Sequence, residues 1–366
     1  LLVKFFITLS FFCFCTVSLS YGGESRAIWL SFPYWDLNKL EKKQVSRQLS
    51  LAGINTVYIA VYGSAKVRWP SKSLTGVDLA MPASQEIFSE GVKILRAEKM
   101  RVVPWFEGGL SVYLSQKFAQ NNPDLLQRCG KGYKSGEYGG NVMAFLDPKK
   151  ERALAPILGA LKELAEHPLG FDEVQLDRFR YTRGAGRICR SYDGSFDSKN
   201  IDVAVKAAYD AIKSVNGNMI VSVSPVTAVG GVIYNQKWTN WANGGYVDSV
   251  SGQAYVRPIA VKDCALGHRR TISRRATLLL FKKELSVWER KLNRVGTQFP
   301  LAIGIMAQRD DDSECMLDQI RYARSRGFSN FSLWVSKIKP NSDGSANSHI
   351  KNNLELLRKT DWGRLP

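Results

Sequence analysis

The chain has 366 residues, of which 45% are hydrophobic and 23% charged. That composition excludes a disordered polymer and is enough for one large core or two modest domains. Lysine and arginine outnumber acids to give a formal net charge of +18, which favours an anionic partner such as a cell-wall glycan or simply solvates the surface. With no lysine-rich tail, zinc-finger spacing or aromatic RNA-binding signature, nucleic acid is not an expected partner.

Residues 1–20 come first. Lys4 precedes the apolar run FFITLSFFCFCTVSLS, which ends in small residues. This pattern predicts a signal peptide cleaved near Ser20 or Tyr21, hence export to the periplasm or beyond. A stable membrane span is not expected after cleavage, because the run is short of the roughly 20 apolar residues an anchor needs. Cys13 and Cys15 lack the small-residue context of a lipidated cysteine. Residues 21–366 then read as a single domain.

Apolar, β-branched runs follow at 27–32, 54–62, 101–106, 171–176, 219–224, 247–255, 301–306 and 328–335. Helical spacings of three and four lie between them, in LEKKQVSRQLSLAG, SQEIFSEGVKILRAEKM, ERALAPILGALKELAEHP, NIDVAVKAAYDAIKSVNG, RRATLLLFKKELSVWERKL and CMLDQIRYARSRG. Strands alternating with helices predict an α/β fold, a (β/α)8 TIM barrel with long βα loops, the longest after strand three from Gly108 to about Pro148. An open doubly wound sheet is the competing architecture, but no glycine-rich phosphate fingerprint follows the first strand. Loops of this length suit a cleft for a polymer.

Four cysteines remain in the exported chain: Cys129, Cys189, Cys264 and Cys315. Pairing of neighbouring βα loops on one face suggests bridges 129–189 and 264–315; four unpaired thiols are the alternative.

Chemistry concentrates in FDEVQLDRFRY, Phe171 to Tyr181. On a strand, Val174 and Leu176 point one way while Glu173, Gln175 and Asp177 point the other, into the barrel. Asp177 is then last and emerges at the C-terminal mouth, where barrel enzymes carry catalytic groups; a structural salt bridge with Arg180 is its competing role. Glu107 ends strand three in PWFEGG, the matching position on the adjacent strand. Strands about 4.8 Å apart would hold the two carboxyls roughly 5–6 Å apart, near the separation retaining glycosidases use. Glu107 is thus the first candidate for general acid/base, Asp310 the second, although acids at helix starts are commonly caps. Gln175, Arg180, Gln253, Tyr255 and Gln308 are the candidate polar contacts for substrate. Trp35 and Trp334 are candidates for stacking on sugar faces, with core packing as the other role of each. The three histidines lack metal-ligand spacing, so neither a metal nor another cofactor is expected.

Across nearly the whole exported chain these residues resemble the glycosyl-hydrolase-like 10 family of exported bacterial proteins. RAIWLSF, AGINTVYIAVYGSAKVRWPS, VVPWFEGG, AFLDPKKERA, VSVSPVT and WTNWANGGYVDSVSGQAYVRP are similar to its successive blocks. FDEVQLDRFRY resembles its central motif, with Asp177 at the first aspartate. The resemblance implies a TIM barrel, glycoside hydrolysis and, for some members, peptidoglycan glycan strands as substrate. This chain departs from the pattern at Glu107, where asparagine is usual, at Glu173, which replaces a glycine, and at Arg178, which replaces a second aspartate. The same stretch resembles the chitinase-type strand-four motif, but Phe179 stands where that motif has its acid. The expected function is therefore glycoside hydrolysis of a bacterial cell-wall or related polysaccharide. A non-catalytic carbohydrate-binding barrel and a basic, wall-associated structural protein are the alternatives.

Overall fold

The computed structural model describes residues 24–63, 65–81, 84–127, 137–138, 141–181, 198–227, 234–256, 260–262, 269–271, 273–307, 313–335 and 348–360. The expected signal peptide, Cys129, Cys189, Cys264, Gln308 and Asp310 lie outside these residues. Cys315 is described and buried.

Eight parallel strands close a barrel in chain order. They are β1 (Arg26–Leu30), β2 (Thr56–Ala60), β3 (Arg101–Phe106), β4 (Glu173–Leu176), β5 (Ile220–Val223), β6 (Ser249–Gln253), β7 (Leu301–Met306) and β8 (Phe331–Val335). The seam closes where β1 pairs with β8, Arg26 opposite Phe331 and Leu30 opposite Val335. Helices follow the strands in turn: α1 (Lys39–Leu51), α2 (Gln85–Ala97), α3 (Glu151–Ala165), α4 (Ser198–Lys213), α5 (Trp238–Asn243), α6 (Arg274–Val295), α7 (Ser313–Ser325) and α8 (Ser348–Lys359). The (β/α)8 barrel expected from the alternation is the fold found.

The period-two alternation of the strands sorts the apolar residues into two cores. Ala27, Trp29, Tyr58, Ala60, Val103 and Trp105 pack together inside the barrel. Their neighbours Ile28, Leu30, Val57, Ile59, Val102 and Phe106 face the helices and join the larger outer core. The helices reach that core through ordinary local signals. Asn38 and Glu41 form a reciprocal capping box at the start of α1, with bonds of 3.0 and 2.8 Å, worth about 1 kcal/mol. On α6, Trp288 seats directly on Gly252 of β6: a Cβ there would stand 2.6 Å from the indole.

The base of the barrel is fixed by charge. Glu173, fully buried at the start of β4, bonds the Arg101 guanidinium at the start of β3 at 2.6 Å. The expectation that Glu173 points inward holds, but it lies at the opposite end of β4 from Asp177 and serves the wall.

The insertion after β3 carries structure the sequence did not suggest. Ser111–Tyr113, Asn141–Phe145 and Glu137–Tyr138 form a small antiparallel sheet. Leu146 donates to the Leu110 carbonyl at 2.8 Å, which returns the chain to the barrel rim.

Candidate active site at the mouth of the barrel

β3 and β4 are paired with Trp105 opposite Gln175 and Phe106 opposite Leu176. The next residues, Glu107 and Asp177, therefore emerge side by side at the mouth. The Asp177 amide continues the ladder by donating to the Phe106 carbonyl at 3.3 Å. Neighbouring strands lie about 4.8 Å apart, so the register makes the two side chains neighbours, and the charge of Asp177 acts directly on Glu107.

Two glycines let the rim close this tightly. Gly109 adopts φ +50°, and a Cβ on it would meet the Asp177 carbonyl oxygen at 2.0 Å. A Cβ on Gly108 would meet the Tyr62 ring at 2.8 Å. With both side chains absent, Gly108 donates to the Tyr62 carbonyl at 2.8 Å and Leu110 to the Arg178 carbonyl at 3.3 Å. The loop carrying Glu107 is thereby clamped onto the residues carrying Asp177.

Both acids are nearly enclosed, 8% and 6% exposed. Burial raises the proton affinity of Glu107 above the ordinary carboxylate range, opposed by the Arg178 charge and reinforced by Asp177. Burial likewise raises Asp177, opposed by Arg180 and Arg178. Their partners differ. Glu107 Oε1 accepts from the Arg178 guanidinium at 2.8 Å. Asp177 accepts from the Arg178 backbone amide at 2.6 Å on Oδ1 and from Gln253 Nε2 at 3.4 Å on Oδ2. Gln253 is oriented by a second bond to the Ser224 carbonyl at 2.9 Å.

Below the acids, the interior is aromatic and polar together. Trp29 Nε1 donates to Gln175 Oε1 at 2.5 Å. Trp334 meets Trp105 edge-on at 5.5 Å and stacks with Tyr255 at 6.4 Å. Burial, with Asp177 and Glu107 adding to it, raises the Tyr255 hydroxyl well above its usual range, so it stays a protonated donor. The Trp105 indole nitrogen and the Gln175 amide nitrogen are buried without partners. Groups left open at the end of a barrel are the kind a polar ligand satisfies. Among the described residues, no set of three or more His, Cys, Asp or Glu side chains is grouped to hold a metal ion.

Of the expected site residues, Asp177, Glu107, Gln175, Arg180, Gln253, Tyr255 and Trp334 gather at this end of the barrel. Trp35 does not. The turn Phe32–Tyr34 carries it outward, its indole donates to the Ala60 carbonyl at 2.6 Å, and its ring packs on Phe88 at 5.4 Å. It is 3% exposed and belongs to the outer core. Trp105 and Trp29 were missed as site residues. The inward parity they share with Asp177 through the strand register was the available signal.

No family model matches the chain, and no curated protein matches it. Solved structures do. The endo-beta-1,4-mannanase from Thermotoga petrophila superposes with a TM-score of 0.57 at 13% identity, over 92% of this chain and 76% of that one. The catalytic domain of beta-amylase from Paenibacillus polymyxa gives 0.58 at 9% identity, over 94% and 100%. The alpha-galactosidase from Thermus thermophilus gives 0.51 at 14% identity over 93% of this chain, which spans 62% of that protein's length. At these identities the likeness is one of fold: the barrel is of the type these glycoside hydrolases share.

Proposed function

We propose that this chain is a glycoside hydrolase acting on a bacterial cell-wall or related polysaccharide, with peptidoglycan glycan strands the favoured substrate. The observation that carries the reading is the paired emergence of Glu107 and Asp177 from adjacent strands beside an aromatic wall of Trp105, Tyr255 and Trp334. Asp177, held as an acceptor by two donors, attacks or stabilises the anomeric carbon as the oxocarbenium-like transition state forms. Glu107, whose proton affinity burial raises, protonates the leaving oxygen and then takes a proton from the incoming water. Gln253 positions Asp177, and Tyr255 and Trp334 bear on the sugar. The fold likeness to glycosidases and the net charge of +18 support a carbohydrate polymer with anionic character. Export, and membership of the glycosyl-hydrolase-like 10 family, belong to the same proposal and rest on the sequence.

One observation favours a second reading, a non-catalytic carbohydrate-binding barrel. Arg178 bonds Glu107 at 2.8 Å, and the guanidinium both occupies the Oε1 a general acid would use and opposes the rise in the proton affinity of Glu107. Incubation with denuded and peptide-bearing glycan strands, followed by counting of new reducing ends and by pull-down, separates the two. New reducing ends support hydrolysis. Retained pull-down without them supports binding alone.

A further inference from the structure

Two arginines stand at the mouth, and of the two only Arg178 forms an ion pair with a carboxylate among the described residues. Arg178 is committed to Glu107. The two oxygens of Asp177 are taken by the Arg178 amide and Gln253. Among the described residues no carboxylate forms an ion pair with Arg180, and its Nε is buried without a hydrogen-bond partner. Its guanidinium instead lies over the Tyr234 ring, 4.6 Å from the centroid. A cation over an aromatic face gains less than desolvating an ion costs, and the charges of Asp177 and Glu107 offset that cost only in part.

The arginine is also held in place. Tyr181 donates its amide to the Tyr234 carbonyl at 3.2 Å. Gln236 bridges the segment, donating to the Phe179 carbonyl at 3.3 Å and accepting from the Val226 amide at 3.1 Å. Asn200 donates to the Tyr181 hydroxyl at 3.1 Å. Both residues flanking Arg180 are thus tied down, and Tyr234 is fixed by the same ladder. The site is assembled before any ligand arrives, the condition under which a fork of N–H donors binds an anion with little ordering cost.

We infer that Arg180 is a carboxylate-binding subsite that takes the acid group of a substrate sugar, a uronate or a lactyl-ether acid, on the rim beside Asp177. This inference rests on the glycosidase reading and narrows it to acidic glycans. Planar carboxylates match the guanidinium fork, and the Arg180 Nε, buried with no hydrogen-bond partner, is a donor such a group would satisfy. Neutral polysaccharides would leave the guanidinium with no carboxylate in its fork, its charge opposed only by Asp177 and Glu107 beyond ion-pair reach.

The test is a ligand-observed titration of the full chain with two acid/neutral pairs. One pair is a uronic acid oligomer and its carboxyl-reduced form. The other is a denuded N-acetylmuramate-containing strand and its carboxyl-reduced form. Reducing ends are counted in the same tubes. The wild type should bind the acid member of one pair about tenfold or more tightly than its reduced partner, and the pair that shows this identifies the source of the acid. Arg180→Gln should erase the preference while keeping the affinity for the reduced form, and Arg180→Lys should restore part of it. Equal affinity within both pairs in the wild type, or a preference that survives Arg180→Gln, overturns the inference. If reducing ends appear with no acid preference, this inference alone fails. If no saccharide is bound or cut, the glycosidase reading fails with it. Should Arg180→Gln not fold, the wild-type comparison decides.

Discussion

The side chain of Arg178 reaches Glu107 at 2.8 Å from a backbone in the left-handed region, with φ +51°. A bulky residue in that conformation costs about 1–2 kcal/mol, and it persists because the rim clamps it. Its own carbonyl accepts from Leu110, and its amide donates to Asp177. One residue therefore governs both acids, through its amide and through its guanidinium.

The first prediction follows from that double contact. Arg178 lowers the proton affinity of Glu107, while burial raises it. Arg178→Met removes the lowering influence, so Glu107 holds its proton to higher pH. Because the general acid must be protonated, the alkaline limb of the kcat/KM profile should move to higher pH. An unchanged limb would show that Glu107 is not the acid.

Gly109 tests the clamp. Gly109→Ala places a Cβ 2.0 Å from the Asp177 carbonyl oxygen at φ +50°, whereas Gly170, at φ +60°, has nothing within 4 Å of its Cβ position. Gly170→Ala should cost only the conformational strain, about 1 kcal/mol. Gly109→Ala adds rim displacement and should cost more in thermal unfolding, together with most of the activity.

At the base of the barrel the expected effect is on stability alone. Glu173→Gln removes the charge from a buried bond to Arg101, which keeps its bond to Asp172 at 2.8 Å, and should cost about 1–3 kcal/mol. The folded fraction should keep its turnover, because Glu173 stands at the far end of β4 from Asp177. Loss of turnover without loss of stability would contradict this placement.

Stability should also carry the signature of the raised Asp177. Its folded-state proton affinity exceeds the unfolded value, so its contribution is fully present below the ordinary carboxylate range, about pH 4. The contribution is lost as pH rises through the higher folded-state value. Asp177→Asn does not ionise. The melting temperature of the variant relative to wild type should therefore rise as pH increases above about 4.

Much of this was readable from the chain. Alternation in FDEVQLD orients three polar residues inward because side chains on a strand have period two, and Glu107 and Asp177 align because both end adjacent strands. The barrel itself follows from strands and helices in strict turn. Tertiary facts were not readable. Trp35 looked like a mouth residue because it follows β1, but its side-chain direction depends on the turn Phe32–Tyr34 and on the space over α2. The pairing of Arg178 with Glu107 joins residues 71 apart in sequence and depends on a left-handed backbone at a residue type that rarely adopts one. Trp105 and Trp29 are buried at 3% and 1% exposure, and their place beneath the two acids comes only with closure of the barrel.

The central claim is that Asp177 and Glu107 cut a glycosidic bond. Its most direct test is the rate at which new reducing ends appear from denuded glycan strands, wild type against Asp177→Asn, at matched folded concentration. The account predicts release by the wild type and a loss of about a hundredfold or more in the variant. Equal rates in the two proteins would contradict it.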